Sequence, residues 1–354
     1  MVTAKRPQGN DPLRALVVGV GHLGKQHARV YSELDGVELV GVVDTEPGRA
    51  DSIGGSLEVP AYGELTDDLL GRVHAVSVVT PTPTHFDVAS RCAAAGVSVL
   101  VEKPMTSTVS EAVELRDMVR RCGVTLQVGH IERFNPVVLA AMPHLKSPVF
   151  IECDRIHPFS FRSVETSVVL DLMIHDIDIV LHLVDSPVDK LDSAGACILS
   201  DTDDLASARL TFENGCTAMF KASRVAIQKS RKMRIFCEEA YISLDYVAKT
   251  GMRISMKEGF DRTQIDFEKM AQLEKSQGTY PIFTQYFSIE QLSIADEEPL
   301  RNELQAFALA VRTGKDPVVT GDHGLQAVEV ATRIQGSIRE TQERYFAKRA
   351  ERQG

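Results

Sequence analysis

The stretch Val17–Gly24, VVGVGHLG, sets three glycines at the spacing GxGxxG between two patterns of different period. Arg14–Val20, RALVVGV, is the short aliphatic run of a fully buried strand. Gly24–Leu34 then has helical spacing. A chain that turns from a buried strand into a helix through glycines has few folds open to it. The same alternation continues downstream. Val37–Asp44, Ala75–Thr80, Ser98–Val101 and Thr125–His130 read as further buried strands, with helices over Thr84–Gly96 and Ser107–Cys122. Buried strands alternating with helices imply a parallel sheet with right-handed crossovers.

Asp44 ends the second strand, twenty residues after Gly24. Strand, glycine turn, helix and strand-end acid together specify a dinucleotide site. Gly19 permits the tight turn, Gly21 lets the backbone approach a pyrophosphate, and Gly24 lets the helix pack closely. Amides at the helix start, around His22 and Leu23, are then placed for phosphate. A carboxylate at Asp44 accepts from both ribose hydroxyls and repels a 2′-phosphate. VVDTEPGR has no cation directly after Asp44; Arg49 is the first. The expected cofactor is therefore NAD, not NADP.

With 354 residues the chain is too long for one typical core, so two domains are expected. The expected division is an NAD-binding Rossmann domain over 13–131 and an α+β domain over 132–354. After His130 the rhythm changes. A helix follows Pro136, a strand covers Pro148–His157, and Thr166–Val184 is strongly helical. Leu205–Glu213 and Cys216–Arg224 flank Asn214-Gly215, a strong hairpin signal. Lys232–Cys237, Tyr241–Tyr246, Arg253–Lys257 and Gln264–Phe267 read as strands, and Leu300–Val311 and His323–Arg339 as closing helices. The expected second domain holds a large, mostly antiparallel sheet. One face of such a sheet can pack helices while the other meets a second copy, so a homo-oligomer is expected.

The net charge of −10 argues against a broad nucleic-acid surface. Six scattered cysteines form no CxxC pair, so free thiols and no structural zinc are expected. MVTAKRPQGNDP lacks the apolar centre of a signal peptide, and no apolar run approaches a membrane span. A cytoplasmic protein is the expectation.

Two places carry chemistry. Glu102-Lys103-Pro104 directly follows a strand, where parallel sheets present residues to the ligand crevice. Asp171 and His175 are four apart on the apolar helix VVLDLMIHDIDIVLHLV, so they share a face, with Asp178 and His182 further along it. As metal ligands these four would run along the helix instead of converging on a point. A general base with a neighbouring acid is the better reading.

VVGVGHLG, VVTPTPTH, VEKP and the DLMIH helix together resemble the Gfo/Idh/MocA superfamily, over nearly the whole chain from Arg14 to about Arg339. The resemblance implies that Lys103, Asp171 and His175 face substrate beside the nicotinamide. It implies a cis peptide before Pro104 and a cofactor lining from Thr80, Pro81, Thr82 and His85, with Glu102 and Lys103 alongside. VGHIERFNP and VVLDLMIHDIDI are similar to the branch that oxidises the 3-hydroxyl of UDP-N-acetylglucosamine. His130 and Arg162 are then expected at the substrate with Asp171 and His175. Val168-Val169 stand where that family often has glycines. A diphosphate would need cations, for which Arg155, Arg162, Arg224, Arg231, Lys232 and Arg234 are candidates. His175 is expected as base and Lys103 as the cation facing the developing alkoxide, although the two roles can be exchanged. Two other readings stay open: the same chemistry on inositol or a free sugar, and an NAD-binding regulator without catalysis.

Overall fold

The computed structural model describes residues 4–159, 164–257, 266–277, 284 and 286–353, the side chains from 346 onward excepted. The chain divides into two compact units, each drawn from separate stretches. The first comprises residues 1–135, 169–182 and 297–336; the second 136–168, 183–296 and 337–354. The helical stretches 169–182 and 297–336 thus return to the unit begun by the first third of the chain.

In the first unit the strands are β1 (Leu13–Val18), β2 (Val37–Val43), β3 (Ala61–Tyr62), β4 (Ala75–Val78), β5 (Ser98–Glu102) and β6 (Leu126–Gly129). They form one parallel sheet in the order β3-β2-β1-β4-β5-β6. The helices between them are α1 (Gly24–Glu33), α2 (Pro47–Leu57), α3 (Asp67–Arg72), α4 (His85–Ala94) and α5 (Val109–Cys122). This order is that of the doubly wound dinucleotide fold, whose crevice opens between β1 and β4, where the order reverses.

The alternation of β1 explains why its sequence is continuously apolar. Leu16 and Val18 enter one core, while Leu13, Ala15 and Val17 enter the core on the opposite face. Strand β3 and helices α2 and α3 lie in a stretch whose sequence has no strong period. Its ends carry the signals instead: Pro47 opens α2, and Thr66 caps α3 by accepting the Leu69 amide.

The second unit holds α6 (Pro136–Ala141), α8 (Phe267–Gln277) and an eight-stranded sheet. Its strands are β7 (Pro148–Pro158), β8 (Val188–Ala196), β9 (Leu205–Phe212), β10 (Thr217–Ala226), β11 (Ser230–Cys237), β12 (Ala240–Asp245), β13 (Thr250–Met256) and β14 (Phe287–Gln291). The order is β14-β13-β12-β11-β7-β10-β9-β8, antiparallel except for β7 beside β10. The Asn214-Gly215 hairpin forms as expected, with Gly215 at φ +89° and Thr211 opposite Thr217. Of the expected strand Gln264–Phe267, Gln264 and Ile265 lie outside the described residues, and Phe267 opens α8.

Three further helices complete the chain: α7 (Ile174–Val184), α9 (Pro299–Thr313) and α10 (Gly321–Gln353). The helix expected over Thr166–Val184 begins later, with a wide π turn at Val169–Met173 leading into α7. Leu300, Leu304, Phe307 and Val311 of α9 join the core under β1 and α1. Among the described residues no helix is long and apolar enough to cross a membrane, no cluster suits a metal ion, and all six cysteines are free thiols.

Candidate active site

The glycine turn is dictated by crowding. Gly19 has φ +86°, and a Cβ there would stand 2.6 Å from the Val79 carbonyl oxygen. A Cβ on Gly24 would fall 1.8 Å from the Gly19 oxygen. Gly21 differs, because its Cβ would meet nothing within 4 Å. The backbone there borders open space, and α1 begins with no side-chain cap on its amides. His22 and Leu23 are exposed beside it. An uncapped helix start next to a bare glycine suits a pyrophosphate, so these residues fit the cofactor expected from the sequence.

Asp44 follows β2 and is only 7% exposed. One oxygen accepts the Val20 amide at 2.9 Å and the other the Glu46 amide at 3.0 Å. Arg49 folds back to within 3.4 Å of both oxygens and also pairs with Glu46. The carboxylate is therefore fixed at the strand end, with a guanidinium beside it.

The segment after β4 reaches the same end of the sheet. Thr80 and Thr82 are half-buried, Pro81 is exposed, and the Thr84 hydroxyl donates to the Thr80 hydroxyl oxygen. His85 behaves differently from the expected lining residue. It is 1% exposed, with Nδ1 at 2.9 Å from the Pro104 carbonyl oxygen and Nε2 at 2.8 Å from that of Thr80. Burial lowers its pKa against the pull of both carbonyls. His85 ties the segment after β4 to the one after β5.

Strand β5 ends in Glu102 and delivers Lys103, whose bond to Pro104 is cis as expected. Lys103 Nζ donates to the Asp171 carbonyl oxygen at 2.7 Å and to Asp171 Oδ1 at 3.3 Å. Asp171 sits in the wide turn at Val169–Met173, and His175 follows at the start of α7. Both are half-buried. π turns of this kind recur at functional sites. The structure thus joins Lys103 to Asp171 and places His175 one turn further along the same helix.

Other expected site residues lie elsewhere. His130 is 1% exposed, and neither ring nitrogen has a hydrogen-bond partner. Burial lowers its pKa, which keeps the ring neutral. It is an interior residue in this structure. Asp178 does not continue an open face with His175. It is buried and accepts from Arg133 at 2.6 and 3.0 Å, whereas His182 is exposed beside His323. Sequence reasoning missed Arg133, although its position just past β6 marked it as a residue of the crevice end of the sheet.

In the second unit, Arg162 lies outside the described residues. Arg155 is 2% exposed and stacks over the Tyr246 ring at 5.7 Å. Arg224 donates to Asp204, to the Thr166 and Val164 carbonyls and to the Ser200 and Thr202 hydroxyls. Lys232 pairs with Asp245 and Arg234 with Glu152 across neighbouring strands. Arg231 stands opposite Arg155 in the β11–β7 register. Arg224, Lys232 and Arg234 therefore serve the sheet itself, and none of the three is an unpaired cation for a diphosphate.

Residues 13–130 match an oxidoreductase family with an NAD-binding Rossmann fold, and residues 155–243 match the GFO/IDH/MocA C-terminal domain. The UDP-N-acetylglucosamine 3-dehydrogenase of Acidithiobacillus ferrooxidans is 40% identical over 67% of this chain and 75% of its own. The crystal structure of that organism's UDP-N-acetylglucosamine 3-dehydrogenase superposes with a TM-score of 0.81 at 31% identity, covering 92% of this chain and 97% of its own. The scyllo-inositol 2-dehydrogenase of Bacillus subtilis is 26% identical over 92% of this chain and 94% of its own.

Proposed function

This chain belongs to the Gfo/Idh/MocA family of oxidoreductases, and from that premise we propose that it oxidises the 3-hydroxyl of UDP-N-acetylglucosamine to a ketone. It is an NAD-dependent oxidoreductase acting on a secondary alcohol of a sugar. The observation that carries the site assignment is the Lys103–Asp171 pair, formed at the crevice end of β5 with His175 one turn on. The choice of a UDP-sugar rests on the 40% identical relative.

When bound, NAD supplies the acceptor for the hydride that leaves the alcohol carbon. The chain's residues handle the proton and the charge. Lys103 gives two hydrogen bonds to Asp171, an arrangement that fixes its Nζ beside the carboxylate. A fixed ammonium stabilises the alkoxide that grows as the proton leaves. His175, one turn on from Asp171, then takes that proton. Asp171 balances the charge on Lys103 and orients it. The uncapped start of α1 and Asp44 would hold the cofactor's phosphates and ribose.

The 26% identical inositol dehydrogenase favours a second reading, in which the substrate is a cyclic polyol without a nucleotide. Protein and NAD incubated with a panel of UDP-sugars, free sugars and inositols, followed by NADH absorbance, separate the two. Turnover of UDP-N-acetylglucosamine alone supports the first reading, and turnover of inositol alone the second. A protein that binds NAD and turns over nothing in the panel keeps open the reading of a regulator without catalysis. We place the protein in the cytoplasm, where NAD and UDP-sugars are both at hand.

A further inference from the structure

The interior of the first unit behind Lys103 is unusually rich in acids. Glu102, Asp178 and Glu303 are all buried, at 7%, 1% and 0% exposure. They come from β5, α7 and α9, and two buried histidines, His27 and His130, lie among them.

Short contacts anchor Glu102 and the Glu303 backbone. Glu102 Oε1 lies 3.2 Å from His27 Nε2, and Glu102 Oε2 accepts the Lys103 amide at 3.2 Å. The Glu102 carboxylate also lies against Gly129, where a Cβ would stand 2.7 Å from Oε1. Gln127, two residues earlier on β6, donates from Nε2 to the Glu303 carbonyl oxygen at 3.1 Å.

The cations near this cluster are already engaged. Arg133 makes a two-pronged contact with Asp178, and Lys103 turns to Asp171. Neither carboxyl oxygen of Glu303 has a hydrogen-bond partner. An ionised carboxylate, fully buried and unpaired, is not a state a protein sustains; the group takes up a proton instead.

We propose that Glu303, buried without a hydrogen-bond partner, is a positioning residue held as the neutral acid, which leaves undisturbed the Glu102 carboxyl that accepts the Lys103 amide at the turn carrying Lys103. This rests on the reading of Lys103 as a catalytic residue. Desolvation raises the Glu303 pKa well above its ordinary value, and the charges of Glu102 and Asp178 raise it further. Glu102 and Asp178 act on Glu303, and Glu303 acts on Tyr31; His27, Lys103, Arg133 and His130 stand around those two acids. Were Glu303 ionised, its charge would oppose that of Glu102, which faces the Lys103 amide.

The test uses Glu303→Gln, a neutral isostere, and Glu303→Ala on the full chain. Infrared spectra at neutral pH are expected to show a protonated carboxyl band that Glu303→Gln removes. The melting temperature of Glu303→Gln relative to wild type is expected to rise between pH 5 and pH 8. A buried acid with a raised pKa loses its stabilising share as pH climbs through that window, and Gln does not. Glu303→Gln is expected to keep NAD affinity by calorimetry, and turnover within a few-fold, while Glu303→Ala loses at least ten-fold in turnover. Absence of the carboxyl band in wild type overturns the proposal. So does a Glu303→Gln variant as impaired as Glu303→Ala. The infrared, melting and calorimetric readings need no sugar substrate, so a wrong substrate reading leaves them standing.

Discussion

Asp44 holds its charge between two amides and a guanidinium, and that arrangement governs cofactor choice. The carboxylate repels a 2′-phosphate, while Arg49 offsets part of the repulsion. Removing Arg49 is therefore expected to widen the preference for NAD over NADP. Removing Asp44 is expected to narrow it by roughly ten-fold or more, about 1.4 kcal/mol. Titration of both cofactors into wild type, Arg49→Ala and Asp44→Ala checks this, and equal affinities in wild type would sink the assignment of Asp44. At the chemical end, Lys103→Met and His175→Asn are each expected to leave NAD binding nearly intact and cut turnover by about 10² to 10⁴. If both act on one proton transfer, the double variant is little worse than the worse single one. A His175→Asn variant with wild-type turnover would make His175 a packing residue. Lys103 and Asp171 were legible from the sequence, because a strand end and a helix face locate side chains directly. His130 was not, since a strand end does not reveal which way its side chain turns. Glu303 left a signal in the period of α9, where it shares the buried stripe of Leu300, Leu304, Phe307 and Val311.

At the scale of elements, the loop between β8 and β9 is held by an ion pair that the sequence could not announce. Asp204 is fully buried and accepts from Arg224 at 2.6 Å, from the Ile198, Leu199 and Ser200 amides and from the Ser200 hydroxyl. Burial alone would raise its pKa. The Arg224 guanidinium, the amides and the hydroxyl outweigh it and hold the carboxyl well below its ordinary value. A depressed pKa stabilises the fold above the ordinary carboxylate value and loses that share as pH falls below about 4. Arg224→Met leaves Asp204 buried without its cation and is expected to cost about 3–5 kcal/mol. Chemical denaturation at neutral pH measures the loss, and a change below about 1 kcal/mol would show that the surrounding amides suffice. Helices and strands of clear period were legible; β3, α2 and α3 were not, because their stretch is short-ranged and set by caps. The wide turn at Val169–Met173 was hidden for another reason: an apolar run reads as continuous helix whether or not one turn is widened.

For the whole molecule, the division into units follows contacts between distant stretches, which no reading along the chain can see. The open face of the large sheet gives the final expectation. On β9, Ala206, Ala208, Leu210 and Phe212 are buried, while Ser207 and Arg209 point to the other face. Register carries that other face across the sheet, through Met219, Glu152 and Arg234 in one row and Phe150, Phe236 and Tyr241 in the next. Met219 is 41% and Phe236 38% exposed, and the Phe236 ring meets Phe150 edge-on at 6.1 Å and Tyr241 at a tilt at 4.9 Å. The face is thus apolar in part, with its charges paired across strands as Glu152–Arg234 and Lys232–Asp245. Paired charges lower the cost of covering such a face, and a second copy presenting the same face is self-complementary. We therefore expect at least a dimer built on this sheet at micromolar concentration. Phe236→Glu combined with Met219→Lys places unpaired charges in its centre and is expected to weaken association by at least ten-fold while the protomer stays folded. Light scattering with circular dichroism reads both. A wild type that is monomeric throughout would refute the expectation, and an unchanged dimer in the double variant would move the interface to another surface.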